Sequence, residues 1–214
     1  MVIFGPDGRG YAPIVVDTLF AQEMRADALT RFLGHEFHHF YRNLLTPRLR
    51  PKCVDGADAE ILWALNQLQA EGVADQVNVR TDLEAGGPLP NHLRAYLSWM
   101  GETPSRLERL QSLVLDASHA GSAPDDLRRA IREVLPRSGH PNGYYMARLV
   151  LEVLGKERLV AHVGNPIAFV RDYQEAARSR RGPRTEFVFS EQFEGYLKRL
   201  EALIDSCRDR EEQR

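Results

Sequence analysis

The stretch Ala28-Leu-Thr-Arg-Phe-Leu-Gly-His-Glu-Phe-His-His-Phe-Tyr-Arg-Asn-Leu44 decides the fold class of this chain. Its apolar residues Ala28, Leu29, Phe32, Leu33, Phe37, Phe40, Tyr41 and Leu44 recur at intervals of three and four, which gathers them along an α-helix. The pattern ends before Pro47, a residue that cannot continue a helix. Upstream, the β-branched run Ile14-Val-Val-Asp17 is the best strand candidate, after a turn-rich lead-in at Gly5-Pro-Asp-Gly-Arg-Gly10. Downstream, a second helix is expected over residues 58–77, with Ile61, Leu62, Leu65, Leu68 and Val73 on its inner face.

Helical signals continue to the end of the chain. Residues 81–90 read as a loop from their Gly and Pro content. Helices follow at 91–100, at Thr103-Pro104 (a capping residue, then proline in the first turn) and near residues 122–124. Gly139-His-Pro-Asn-Gly143 reads as a turn before a helix over 144–154 closed by Gly155. Asn165-Pro166 opens another helix to residue 178, and Arg180, Arg181 and Arg184 make a basic loop whose default is solvated charge. Phe187-Val-Phe189 reads as a short strand, and Ser190 caps a last helix running to about Cys207. The expected fold is mainly α with a minor β element: one domain over 1–214, with hinges near 81–90 and 180–186.

Composition narrows the function classes. The 214 residues can bury one sizeable core, and 43% hydrophobic with 27% charged is ordinary for a globular protein. With 28 basic against 30 acidic residues the net charge is −2, which gives no basic excess for nucleic acid. No apolar run reaches the ~18 residues of a membrane span, and residues 1–10 lack the build of a signal peptide. A cytoplasmic protein is therefore expected, although a chain trimmed of its leader reads the same. Cys53 and Cys207 belong to no Cys-x-x-Cys pair, which excludes a cysteine-rich metal site. Whether they pair with each other stays open, as does a homo-oligomer.

The chemistry lies in His35-Glu36-Phe37-His38-His39. Residues four apart share a helix face, so His35 and His39 can both point at one Zn2+. Glu36, about 100° round the helix from His35, falls beside the open metal position, where it can take a proton from a zinc-bound water. With 7 histidines in the chain, a chance match to the pattern is on the order of a few per cent. His38 cannot easily reach the same ion and reads as a surface or supporting group. His92, His119 and His162 are scattered and read as structural or exposed. A catalytic zinc also needs a third protein ligand. The best candidate is Glu71, on a stripe with Glu60, Ala64, Gln67 and Asp75, and Glu60 is the fallback. Gly72 and Ala74 beside Glu71 would let helices approach closely.

These residues resemble the gluzincin metallopeptidases, in which a His-Glu-x-x-His helix precedes a helix carrying a Glu ligand. Glu71-Gly-Val-Ala74 is similar to the Glu-Gly-x-Ala run of many members. The resemblance implies a reduced zincin-like helical domain, and it implies that Asp75, four residues after Glu71, hydrogen-bonds a ligand histidine, as in thermolysin-like members. Leu33 to His39 and Pro141-Asn-Gly-Tyr-Tyr-Met-Ala147 also make the chain similar to an uncharacterised bacterial family of zinc-dependent peptidases. The likeness covers residues 14–80 and 139–177, and 85–135 matches nothing nameable. Gluzincins stabilise the oxyanion with a downstream His or Tyr, which points to His140, Tyr144 or Tyr145. Tyr145 aligns with Leu149 and Val153 on an apolar face, so Tyr144 is the better free donor. The implied activity is hydrolysis of a peptide or protein substrate. A non-catalytic zinc-containing module and a zinc amidohydrolase acting on a non-peptide amide are the alternatives. The intact general base Glu36 speaks against the first of these. The usual upstream sheet is reduced here to one strand candidate.

Overall fold

The computed structural model describes residues 8–9, 14–16, 18–45, 53–85, 88–120, 123–180 and 186–212. The fold is mainly α, as the periodicity requires. Strands β1 (Gly8–Arg9) and β2 (Val15–Val16) pair antiparallel, Gly8 opposite Val16 and Arg9 opposite Val15. The helices are α1 (Thr18–Glu23), α2 (Ala26–Leu45), α3 (Gly56–Glu84), α4 (Asn91–Gly101), α5 (Thr103–Ala120), α6 (Pro124–Val134), α7 (His140–Val153), α8 (Lys156–Ala161), α9 (Pro166–Ser179) and α10 (Glu191–Glu212). No helix among the described residues is long and apolar enough to cross a membrane.

Helix α3 is the axis of the structure. It buries residues on every side, from Ile61 and Leu65 to Gln69, Ala74 and Val79, because α2, α5, α6, α7 and α9 all pack on it. Its apolar residues join those of α5, α6, α7, α9 and α10 in the main core. The helix runs seven residues past the expected end at 77, so the loop expected from residue 81 begins later. No Gly or Pro interrupts residues 73–85, and Arg80 pairs with Glu84 one turn on at 2.8 Å.

A second correction concerns the start of α7. Gly139-His-Pro-Asn-Gly143 is no turn: the helix begins at His140 with Pro141 in its first turn, where a proline's missing N–H is no loss. The reversal lies one step earlier, in a 3-10 stretch, Pro136–Gly139, in which Arg137, Ser138 and Gly139 all take positive φ (50°, 55° and 86°). Phe187-Val-Phe189 forms no strand. Its Phe187 carbonyl accepts from Tyr173 Oη at 2.9 Å, and the Phe189 ring stacks on Phe193 at 4.3 Å, so these aromatics serve the core. Two expected caps form: Asn165 Oδ1 accepts from Ala168 N–H at 3.0 Å, and Ser190 Oγ from Phe193 N–H at 3.3 Å. Thr103 instead lies within α5, and its Oγ1 accepts from Asn142 Nδ2 at 3.0 Å. Cys53, just before α3, forms a disulfide with Cys207 of α10, their Cα atoms 5.9 Å apart.

Candidate metal centre

Helices α2 and α3 meet where the sequence concentrates its chemistry. His35 and His39, one turn apart on α2, turn their rings toward α3, and Glu71 of α3 meets them. The Nε2 atoms of His35 and His39 lie 3.0 Å apart. Glu71 Oε2 is 3.0 Å from His39 Nε2 and 3.5 Å from His35 Nε2. A tetrahedral zinc with bonds of about 2.0–2.1 Å holds its donors roughly 3.3–3.4 Å apart. The three observed separations bracket that value, and two imidazoles with one carboxylate form a donor set suited to zinc. These three residues could hold a metal ion, so the fit of donors to ion is good.

His140, at the head of α7, adds a fourth group. Its Nε2 lies 3.2 Å from Glu71 Oε2, and its Nδ1 lies 2.9 Å from Asp75 Oδ2. The rings of His35 and His140 are nearly parallel, 9° apart in plane, with centroids 5.6 Å apart. Asp75, one turn after Glu71, places Oδ1 3.2 Å from His35 Nδ1, which is the neighbour the resemblance implied. That contact is close but poorly aligned for a hydrogen bond. His35, Asp75 and His140 make a second cluster of ligand-type atoms. It shares His35 with the first.

The electrostatics follow from charges packed together out of water. Burial disfavours the imidazolium of His35, but its contacts with Asp75 and Glu71 outweigh this and raise its pKa to about 10. Burial works against the Glu71 carboxylate as well, and contacts with His35, His39 and His140 overcome it and hold Glu71 well below the usual range. Asp75 is lowered for the same reason by His140 and His35. With no ion bound, a proton on His35 offsets the charge of the two carboxylates that face it.

The remaining sequence candidates sort as follows. Glu36 is 5% exposed and belongs to neither ligand cluster, as expected of a group that does not ligate. Glu60 is not at the site: its carboxylate holds Arg128 of α6 at 2.6 Å. His38 is not a surface residue. It is half-buried, and desolvation, with the charges of His39, Arg42 and His35, lowers its pKa to about 3. His92 is exposed, His162 pairs with Asp172, and the side chain of His119 lies outside the described residues, as do Arg181 and Arg184. Arg180 pairs with Glu186 at 3.0 Å. Tyr145 packs against the main core with Leu149 and Val153, as its spacing implied, but Tyr144 is no free donor. Tyr144 is 1% exposed in a small apolar cluster with Val79, Leu93 and Tyr96, whereas Tyr145 is half-buried and its hydroxyl donates to Glu186. Helix α7 is covered by α3, α4 and α9 together, so Tyr144 is buried although it lies off the Leu149 face.

Two groups around the site were not foreseen. Arg42, on the His35–His39 face of α2, is 3% exposed and donates to Asn66 Oδ1 at 2.7 Å and Gln69 Oε1 at 2.9 Å. Gln69 in turn accepts from Gly164 N–H at 3.0 Å. The network locks α2 to α3 three residues beyond His39. Arg42 follows His35 by seven and His39 by three, a spacing that puts all three on one face. Tyr96 of α4 is the other: its Oη lies 2.7 Å from Asp75 Oδ2. It sits in an apolar stripe with Leu93 and Met100, and nothing in the sequence distinguishes it from a core tyrosine.

A family model described as "Putative zinc dependent peptidase (DUF5700)" matches residues 1–182. The match includes the segment 85–135, which supplies Tyr96. No curated protein and no solved structure matches the chain.

Proposed function

The chain belongs to the family described as "Putative zinc dependent peptidase (DUF5700)", and from that premise we propose that it is a metallopeptidase of gluzincin type whose zinc ligands are His35, His39 and Glu71. One observation carries the reading: two imidazoles of a His-Glu-x-x-His helix and one carboxylate of the next helix stand 3.0–3.5 Å apart, the spacing of donors around a tetrahedral ion. When bound, the ion would supply Lewis acidity to a scissile carbonyl and to the attacking water. The chain's own groups do the rest. Glu36 accepts the proton of the attacking water and passes it to the departing amine. His140, when protonated, donates from Nε2 to the oxygen that gains charge. For that role it is favoured over Tyr144, which is buried in the apolar cluster. Asp75 orients His35.

Metal analysis of the purified protein tests the ligands and separates them from the base. The expected result is close to one zinc per chain in the wild type, lost in His39→Ala and in Glu71→Ala. Glu36→Gln should keep its zinc and lose ~10²–10⁴-fold in hydrolysis of a peptide mixture. Zinc retained by both ligand variants would end the reading of the site. Full hydrolysis by Glu36→Gln would move the base elsewhere.

A further inference from the structure

Asp75 is 2% exposed, and its two oxygens serve different partners. Oδ1 faces His35 Nδ1 at 3.2 Å, and Oδ2 faces His140 Nδ1 at 2.9 Å. One carboxylate thus reaches imidazoles that are 105 residues apart in the chain (140 − 35). Each Nδ1 turned to Asp75 leaves its Nε2 for the other side of the ring, where both Nε2 atoms face Glu71 Oε2, at 3.5 and 3.2 Å. A carboxylate in that position needs something to hold its plane. Tyr96 is the group in place: its Oη is 2.7 Å from Asp75 Oδ2 and 3.0 Å from the backbone carbonyl of His140. It has one proton to give, and the charged acceptor is the nearer. The Tyr96 ring is 2% exposed and meets Tyr144 edge to face at 5.9 Å, so the hydroxyl has little freedom to leave.

We propose that Tyr96 is a positioning residue of the metal centre, fixing Asp75 so that this one carboxylate sets the tautomer and orientation of both His35 and His140. The proposal rests on the assignment of His35 as a metal ligand. It differs from an ordinary core role in a way that one atom decides. The ring contacts of Tyr96 with Leu93, Val79 and Tyr144 are apolar and survive in phenylalanine, whereas the hydroxyl hydrogen-bonds the orienting carboxylate and the backbone carbonyl at the start of α7.

The test is Zn2+ affinity of the full chain, measured by competition with a chromophoric chelator, for wild type, Tyr96→Phe, Asp75→Asn and the double variant. Outer partners of ligand histidines typically contribute 10–100-fold to metal affinity. Tyr96→Phe should weaken Zn2+ binding about tenfold. Because Tyr96 acts through Asp75, it should add no further loss, within about twofold, in the Asp75→Asn background. Wild-type affinity in Tyr96→Phe, or losses that simply add in the double variant, would overturn the proposal. If Asp75→Asn does not fold, the visible spectrum of the Co2+-loaded protein decides. A shifted ligand-field band in Tyr96→Phe supports positioning, and a spectrum superimposable on wild type refutes it. A wild type that binds no Zn2+ would remove the assignment of His35 and this inference with it. A wild type that binds Zn2+ no better than Tyr96→Phe removes this inference alone.

Discussion

His35 and His38 lie three residues apart on α2 and are driven in opposite directions. Two carboxylates raise the pKa of His35 to about 10, while desolvation and positive neighbours lower that of His38 to about 3. Among the described residues no hydrogen-bond partner meets His38 Nε2, so little compensates a charge there. The sign for His38 follows from its lowered value. Its neutral form costs nothing above the unfolded pKa of about 6.5, and below that the unfolded chain takes up a proton that the folded one refuses. Stability is therefore lost as the pH falls from about 6.5 toward 3. His38→Leu should flatten the decline by up to one proton, at most about 1.4 kcal/mol per pH unit, in urea unfolding between pH 6.5 and 4.5. An unchanged slope would mean that His38 is solvated in the folded state. That His38 is no ligand was legible from its place on the helix turn. Its burial was not, because it depends on which neighbours cover that side of α2. The reading of Tyr144 failed for a related reason: α7 packs against α3, α4 and α9 at once, so a residue off the Leu149 face is buried as well.

Among the described residues, helices α3 and α7 make the most extensive contact, and two glycines set its distance. A Cβ on Gly72 would stand 2.2 Å from the carbonyl carbon of Gly143, and one on Gly143 would stand 2.1 Å from the carbonyl oxygen of Leu68. Both obstacles are backbone and cannot rotate away. The crossing lies between Glu71 and His140, so the approach that needs glycine is also what brings Glu71 Oε2 to 3.2 Å from His140 Nε2. Gly143→Ala should force the helices apart at a cost of about 3 kcal/mol or more, read as a lower unfolding midpoint. Even where it folds, its Zn2+ affinity should fall, because Glu71 moves with the crossing. A variant as stable as wild type would mean that the helices separate freely. The sequence did not disclose this contact. Gly72 and Ala74 signalled close packing of the Glu71 helix on the histidine helix, whereas Gly72 meets α7, and Gly143 sits in Gly-His-Pro-Asn-Gly, a composition that turns and helix starts share. The chain reverses at Arg137 and Ser138 instead, in left-handed backbone that neither residue type advertises.

Across the whole molecule, the site is where three segments distant in sequence are tied together. His35 and His39 come from α2, Glu71 and Asp75 from the central helix α3, and His140 from the head of α7. The two ligand helices were legible because helical periodicity is local and the motif spacing carries its own geometry. Tyr96 and Arg42 were not, since their roles exist only once α2, α3 and α4 have met. Such a junction makes metal binding and folding one equilibrium. In the metal-free protein, His35 has a raised pKa of about 10. Its contribution to stability is therefore complete below the unfolded value of about 6.5 and disappears as the pH rises through about 10. A zinc held by His35, as proposed, would displace that proton, so the ion would compete with a stabilising interaction at neutral pH and meet less competition at higher pH. With one proton released, affinity should rise about tenfold per pH unit. At fixed excess zinc, the added stability should then grow by about 1.4 kcal/mol per unit. Chemical unfolding at pH 6.5, 7.5 and 8.5, with and without buffered Zn2+, checks this. The gap between the two curves should widen with pH in the wild type and be absent in His39→Ala. A gap that stays constant across that range would mean that zinc binding releases no proton, and so that His35 carries none in the metal-free fold.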